Sequence, residues 1–194
     1  MKALIVLAHP CEDSFCHAAA DAARRGLVVA GHDVTVLDLY RDGFRAAMSH
    51  AERTAYHSDE PILDQQVADH AARVRDAEIL VFVYPTWWSG LPAILKGWLE
   101  RVMVPGVGFV FDEHGKVRPG LPQVRRIVGI STYGSPRWYV WLVNDNGRRV
   151  LTRALRLSCG WRARPRWHPL AAMDTTTVEK RAAFLDRIEA RIGR

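Results

Sequence analysis

The chain has 194 residues, about one ordinary domain, long enough to bury a core without disulfide or metal staples, and this rules out a mini-protein scaffold. A hydrophobic fraction of 48% and a charged fraction of 25% exclude a wholly disordered or collagen-like chain. Twenty-seven Lys and Arg against 21 Asp and Glu leave a formal charge of +6, which favours anionic partners without choosing among them.

Ala3 to Ala8 is a continuous apolar run ended by His9-Pro10 and reads as a buried strand. Residues 14 to 30 then carry an Ala-rich helical pattern stopped by Gly31. Val34 to Leu37 is a short β-branched second strand, and residues 41 to 61 show no clean period and are expected as a surface excursion. A helix over 62–76, a strand over Ile79 to Tyr84 and a helix over 92–103 follow. Phe109-Val110-Phe111, His114-Gly115 and Lys116-Val117 predict a small hairpin. Ile127 to Ile130 is the fourth strand, followed by a helix over 140–159 and a fifth strand over Arg162 to Trp167. The terminal helix over 177–192 begins at Thr176 and Glu179, which have capping-box spacing.

No repeat or linker interrupts the pattern, so one domain over 1–194 is expected. Five strands alternating with helices predict an α/β fold with a doubly wound five-stranded parallel sheet. Its ligand is expected beyond the carboxyl ends of the strands, at the topological switch point. No run reaches the roughly 18 apolar residues of a membrane span. Met1 to Leu7 meets His9-Pro10 rather than a cleavable leader, and Cys11, Cys16 and Cys159 form no even or C-x-x-C set. A cytoplasmic chain with reduced thiols is expected. The eight His show no zinc pattern, and packing is the expected role of Cys11 and Cys16, so neither a metal nor a nucleophilic thiol is expected.

Three loops remain. His9-Pro10-Cys11-Glu12-Asp13-Ser14-Phe15 opens into a helix, whose free amides and dipole suit a phosphate; Ser14 reads equally as a hydroxyl donor or as a plain N-cap. Tyr84-Pro85-Thr86-Trp87-Trp88-Ser89-Gly90 places two indoles at the sheet's mouth, of which one is expected to be buried and the other to border a planar ligand. Ser131-Thr132-Tyr133-Gly134-Ser135 offers hydroxyls and glycine amides to a polar ring.

Together with Pro92-Ala93-Ile94-Leu95-Lys96-Gly97-Trp98-Leu99-Glu100-Arg101-Val102, Gly108-Phe109-Val110-Phe111 and Cys159-Gly160, these loops resemble the flavodoxin-like NAD(P)H:quinone oxidoreductases of DT-diaphorase type, in their shorter bacterial form. The 92–102 stretch is the most specific piece. The resemblance implies strand order 2-1-3-4-5, a bound flavin, FAD or alternatively FMN, and NADPH or NADH as hydride donor to a quinone or similar small acceptor. It places His9, Ser14 and Phe15 at the flavin phosphates and Pro85, Thr86, Trp87 and Trp88 beside the ring. Ser131, Thr132, Tyr133 and Gly134 fall at the ring's polar edge. Tyr139 falls at the active-site Tyr, with Trp88 and Gly134 sharing the catalytic pocket. It also implies a homodimer, with Phe109 and Phe111 able to reach the partner.

The chain departs from that pattern in three places. Asp145 stands where the family's catalytic His is expected, Tyr133 replaces a glycine and is expected to narrow the pocket, and Phe111 and Glu113 replace two hairpin tyrosines. Between Asn146 and Arg166 lie seven Arg and no acid, and Arg149, Arg153 and Arg156 have the spacing of one helical face. A solvated face, attraction of NADPH phosphates and a polyanion site all remain open. A flavin-binding carrier or regulatory subunit is the rival reading; no motif supports a nucleic-acid partner.

Overall fold

The computed structural model describes residues 1–194. Five parallel strands, β1 (Lys2–Leu7), β2 (Asp33–Asp38), β3 (Ile79–Pro85), β6 (Arg126–Thr132) and β7 (Arg164–Leu170), form one sheet in the order β2-β1-β3-β6-β7, the doubly wound order expected. Ile5 pairs with Val36 on one side and Val81 on the other, and Phe82 lies opposite Gly129. The central strands are apolar throughout because helices cover both faces. α1 (Phe15–Val29) and α8 (Val178–Arg191) bury Ile5, Val81 and Val128 with Phe184 and Ile188. α3 (Gln65–Asp76), α4 (Ala93–Val102) and the 146–159 segment bury Leu4, Phe82 and Tyr84 with Val74, Trp98 and Leu151. β4 (Phe109–Phe111) and β5 (Val117–Pro119) form the expected antiparallel hairpin. No helix is long and apolar enough to cross a membrane.

Four expectations change. The 41–61 excursion carries α2 (His50–Ala55), closed by a capping box in which the Ser49 hydroxyl accepts from the Glu52 amide at 3.2 Å and Glu52 accepts from the Ser49 amide at 2.7 Å. Six residues are too few for a period to show, although Ser49-x-x-Glu52 was the signal. The cap of α8 is Thr177, whose Oγ1 accepts from the Lys180 amide, because the Thr176 hydroxyl is spent on the Ala172 carbonyl at 2.8 Å. β7 starts and ends later than expected; Pro165 and Pro169 are tolerated because it is an edge strand.

The 140–159 helix is the fourth. α5 (Arg137–Leu142) stops at Asn144 and Asp145, both with left-handed backbone, φ +74° and +42°. A second rod then runs as α6 (Asn146–Arg149), a π-helical turn (Val150–Ala154) and α7 (Leu155–Cys159). Asn144-Asp145-Asn146-Gly147 is a turn-forming run that the apolar periodicity on either side obscured.

The 92–102 motif has a structural explanation. A Cβ on Gly97 would meet the Ala46 carbonyl oxygen at 2.1 Å, so only glycine admits the excursion this close to α4. Trp98 is buried and its Nε1 donates to His70 Nδ1 at 3.1 Å. Buried Arg101 donates to Glu52 Oε1, to Asp64 Oδ2 at 3.0 Å and to the Arg45 carbonyl, tying α2, the start of α3 and the excursion to one helix.

Candidate functional site

The order in which successive strands are added reverses between β1 and β3, and the loops leaving β1, β3, β6 and β7 meet at that edge around a cavity of about 770 Å³. His9 stands on its wall. The His9 Nδ1 accepts from the Cys11 amide at 3.1 Å, its ring centroid lies 6.0 Å from that of Trp87, and burial lowers its pKa, favouring the neutral imidazole. Ser14 and Phe15 lie behind that wall, at the start of α1. The Ser14 hydroxyl caps the helix through the His17 amide and bonds His17 Nδ1 at 2.9 Å, while His17 Nε2 is held by Asp38 Oδ2 at 3.0 Å. The Phe15 ring packs on Phe184, 5.9 Å between centroids. What this turn offers an anion is therefore its backbone: the amides of Phe15 and Cys16 have no partner within the chain. Cys16 is an inert packing thiol, pushed up to about 11 by burial.

After buried Pro85, the Thr86 amide donates to the Thr132 carbonyl at 2.7 Å and its hydroxyl meets that of Ser131 at 2.8 Å, which fastens the third and fourth loops side by side. The expectation that one indole of the Trp pair is buried does not hold. Trp88 is fully exposed and Trp87 is 43% exposed. Trp88 and Ser89 have φ of +48° and +56° in a turn closed by the Gly90 amide on the Trp87 carbonyl, and this turn throws both rings outward. Left-handed backbone costs about 1–2 kcal/mol for such residues, a strain found mostly at functional sites.

Ser131 and Thr132 are buried at the end of β6, and Gly134, Ser135 and Tyr139 face the cavity. Tyr133 does not project into the opening as expected of a replaced glycine. It lies buried in the wall, where its hydroxyl donates to Asp145 at 3.1 Å and accepts from Trp167 Nε1 at 3.0 Å. The Trp167 ring is aimed by lying flat against Gly129, whose Cβ would fall 1.9 Å from it. Asp145 lines the cavity, and burial holds its carboxyl above the usual range although the Tyr133 hydrogen bond opposes this. Burial likewise pushes the Tyr133 hydroxyl up, so it remains a donor.

The loop after β7 contributes Met173 and Asp174, which lie outside the three loops singled out from the sequence. The same carboxyl-edge argument would have included them. Val140 and Val143 were missed as well, since they were assigned to an unbroken helix. Phe109 and Phe111 stand away from the cavity. The amides of Gly134 and Ser135 make no hydrogen bond within the chain, whereas that of Trp87 is turned to Gly90 in a short bridge, so the opening combines flat aromatic walls with two adjacent free donors. That combination suits a planar ring with a polar, electron-rich edge.

A family model described as a flavodoxin-like fold matches residues 1–192. The chain belongs to this flavodoxin-like family. Within it, the chain is 31% identical to ribosyldihydronicotinamide dehydrogenase [quinone] from Homo sapiens over 77% of its own length and 71% of that protein. It is 34% identical to a ribosyldihydronicotinamide dehydrogenase-like protein from Penicillium crustosum over 62% of its length. The chain spans only 50% of the latter, about half. Among solved structures, an NAD(P)H:quinone oxidoreductase from Methanothermobacter marburgensis superposes with a TM-score of 0.81 at 27% identity, covering 100% of this chain and 94% of that one.

Proposed function

We propose that this flavodoxin-like protein is a flavin-dependent oxidoreductase that moves hydride from NAD(P)H to a quinone or similar aromatic acceptor, donor and acceptor using one pocket in turn. The observation that carries this reading is the pair of unpartnered amides at Gly134 and Ser135 beside two outward-facing indoles at the switch-point edge. The named activities of the human and archaeal relatives point the same way.

The residues present fit such a cofactor. When bound, the flavin supplies the two-electron chemistry and carries negative charge on its polar edge once reduced. The Gly134 and Ser135 amides stand ready to donate to that edge, and fixed donors of this kind need no reorganisation as charge develops. Trp87 and Trp88 supply flat walls for two stacked rings, with His9 and the free amides of α1 toward the phosphates. Tyr139 lines the same opening, and its hydroxyl has no hydrogen-bond partner within the chain. The proposed catalytic group is thus Tyr139, Trp88 and Gly134. We take the flavin to be FAD, on the resemblance to the quinone-reductase branch, and the exposed aromatic surface at Trp138 and Trp161 to suit a second copy of the chain.

An anaerobic absorption spectrum before and after NADPH tests the reading. Flavin bands that bleach on addition, and reappear when a quinone is admitted, are the expected result; mass spectrometry of the released cofactor separates FAD from FMN. Bands that persist would support the carrier or regulatory alternative. A protein that takes up neither flavin on reconstitution would overturn the assignment.

A further inference from the structure

Beside the first cavity lies a second, of about 650 Å³, which shares Tyr133, Val140 and Asp145 with it as a common wall. Four guanidiniums line it: Arg137 from α5, and Arg148, Arg149 and Arg153 from the rod that follows. Asp145 is the one carboxylate among the lining residues, and it is already engaged by the Tyr133 hydroxyl. None of these four arginines has a carboxylate or carbonyl partner of its own, whereas Arg101 and Arg118 are each paired with acids. Four like charges held around one concavity against a single carboxylate, Asp145, leave an excess of positive charge that a polyanionic ligand would neutralise.

The backbone breaks described above assemble this ring of charge. The left-handed pair Asn144 and Asp145 turns the chain between α5 and the rod, so that Arg137 lines the same cavity as Arg148 and Arg149. The π-helical turn over Val150–Ala154 then places Arg153 on the same opening as Arg149, while Arg156 departs from the face that simple helical spacing gives it. Arg156 donates instead to the Ala163 and Trp161 carbonyls and lies over the Trp161 ring. The wall also carries Trp141, an exposed indole of the size that stacks on a nucleobase.

We infer that this second cavity seats the adenosine end of the hydride donor, with the arginines taking its phosphates, and that the site therefore selects NADPH over NADH. The inference rests on the oxidoreductase reading for its donor, and it follows from the shared wall. A ligand whose flat redox ring lies in the first cavity extends across Val140 and Asp145 into the second. Both dinucleotides carry a pyrophosphate, but only NADPH adds a 2′-phosphomonoester, two of whose terminal oxygens at a time match the guanidinium fork. Nucleic acid is the less suitable occupant, because the arginines face into a pocket rather than along a convex stripe.

The test uses the full-length flavin-loaded protein and fragments that cannot donate hydride. Calorimetric titration with adenosine 2′,5′-bisphosphate is compared with titration by 5′-AMP, for the wild type and for Arg149→Gln/Arg153→Gln. The bisphosphate is expected to bind the wild type about tenfold more tightly or better, the value of one charge-assisted contact, and the double variant to lose most of that ratio at unchanged flavin content and melting temperature. Equal affinity for the two fragments, a ratio preserved in the variant, or tighter binding of a short DNA duplex at the same site would each overturn the proposal. Because the readout is binding of a redox-inert fragment, its failure is separable from a failure of the spectrum to bleach.

Discussion

Two stretches of this chain obey opposite rules. On α4 itself the buried polar groups are answered: the Trp98 indole by His70, the Arg101 guanidinium by Glu52, Asp64 and a carbonyl, and the backbone approach to Ala46 by a glycine. From Gly134 to Arg153 the chain leaves amides and guanidiniums without partners, sets Asn144 and Asp145 in left-handed backbone, and exposes Trp138, Trp141 and Leu142. The motif most specific to the family is therefore scaffold, while the chemistry sits where local rules are broken and a ligand must complete them.

Breaking the scaffold should produce the largest effect. Arg101→Ala leaves the Glu52 and Asp64 carboxylates facing each other without their cation, and a half-broken buried cluster costs about 3–5 kcal/mol. Urea unfolding should show this loss, while flavin affinity of the protein that remains folded changes by less than about twofold, since Arg101 lies outside the cavity lining. An affinity that falls in step with stability would erase the division between the two regions.

The intermediate case is Tyr133, where the second region contains a single satisfied lock. Tyr133→Phe removes the donor to Asp145 and the acceptor for Trp167, at a cost of about 1.5–3 kcal/mol by chemical denaturation. With that hydrogen bond gone, burial of the Asp145 carboxyl is opposed only by the Arg148 amide and the Arg148 and Arg149 charges, and its titration should move further up. Isotope-edited infrared of the carboxyl band would report this. A band that titrates as in the wild type would show that the lock is not electrostatic.

The sheet, its order and its flanking helices were legible because period and apolar runs report burial, and these strands are buried on both faces. The cavity was legible in outline for a related reason: the carboxyl edge of a doubly wound sheet selects its loops before any side chain is considered. Direction within those loops was not legible. Trp87 and Trp88 point outward because of two left-handed residues, and Tyr133 turns into the wall because Asp145 and Trp167, 12 and 34 residues away, receive its hydroxyl. The broken helix could have been read from Asn144 to Gly147, whereas the π-helical turn that separates Arg153 from Arg156 carries no comparable mark in the sequence.

A smaller effect separates the regions by pH. His70 accepts from Trp98 at Nδ1 and burial lowers its pKa, so the folded protein holds it neutral. Below about 6.5 the unfolded chain takes up a proton there that the folded chain refuses, and stability falls as pH drops through that window toward the lowered folded value. His70→Gln keeps an oxygen to accept from the indole and removes the titration. Its stability should therefore decline less steeply between pH 7 and pH 5, by at most about 1.4 kcal/mol per pH unit. Parallel slopes for the two proteins would assign the acid sensitivity to other imidazoles whose pKa partial burial lowers, among them His9 and His168.

The smallest change in stability should accompany a large loss of function. Trp88 is fully exposed and held at φ +48°, so its indole buries nothing in the free chain while its backbone is strained. Trp88→Gly relieves that strain, and the added freedom of the unfolded chain offsets part of the gain, leaving a net change between zero and about 1 kcal/mol of stabilisation. The same substitution removes a wall of the pocket, and kcat/KM for the acceptor should fall about tenfold or more. Scanning calorimetry beside steady-state kinetics decides the matter. A variant that loses stability yet keeps its turnover would make the indole part of the scaffold after all, and the strained turn would then need a structural cause that neither Ser89 nor Gly90 supplies.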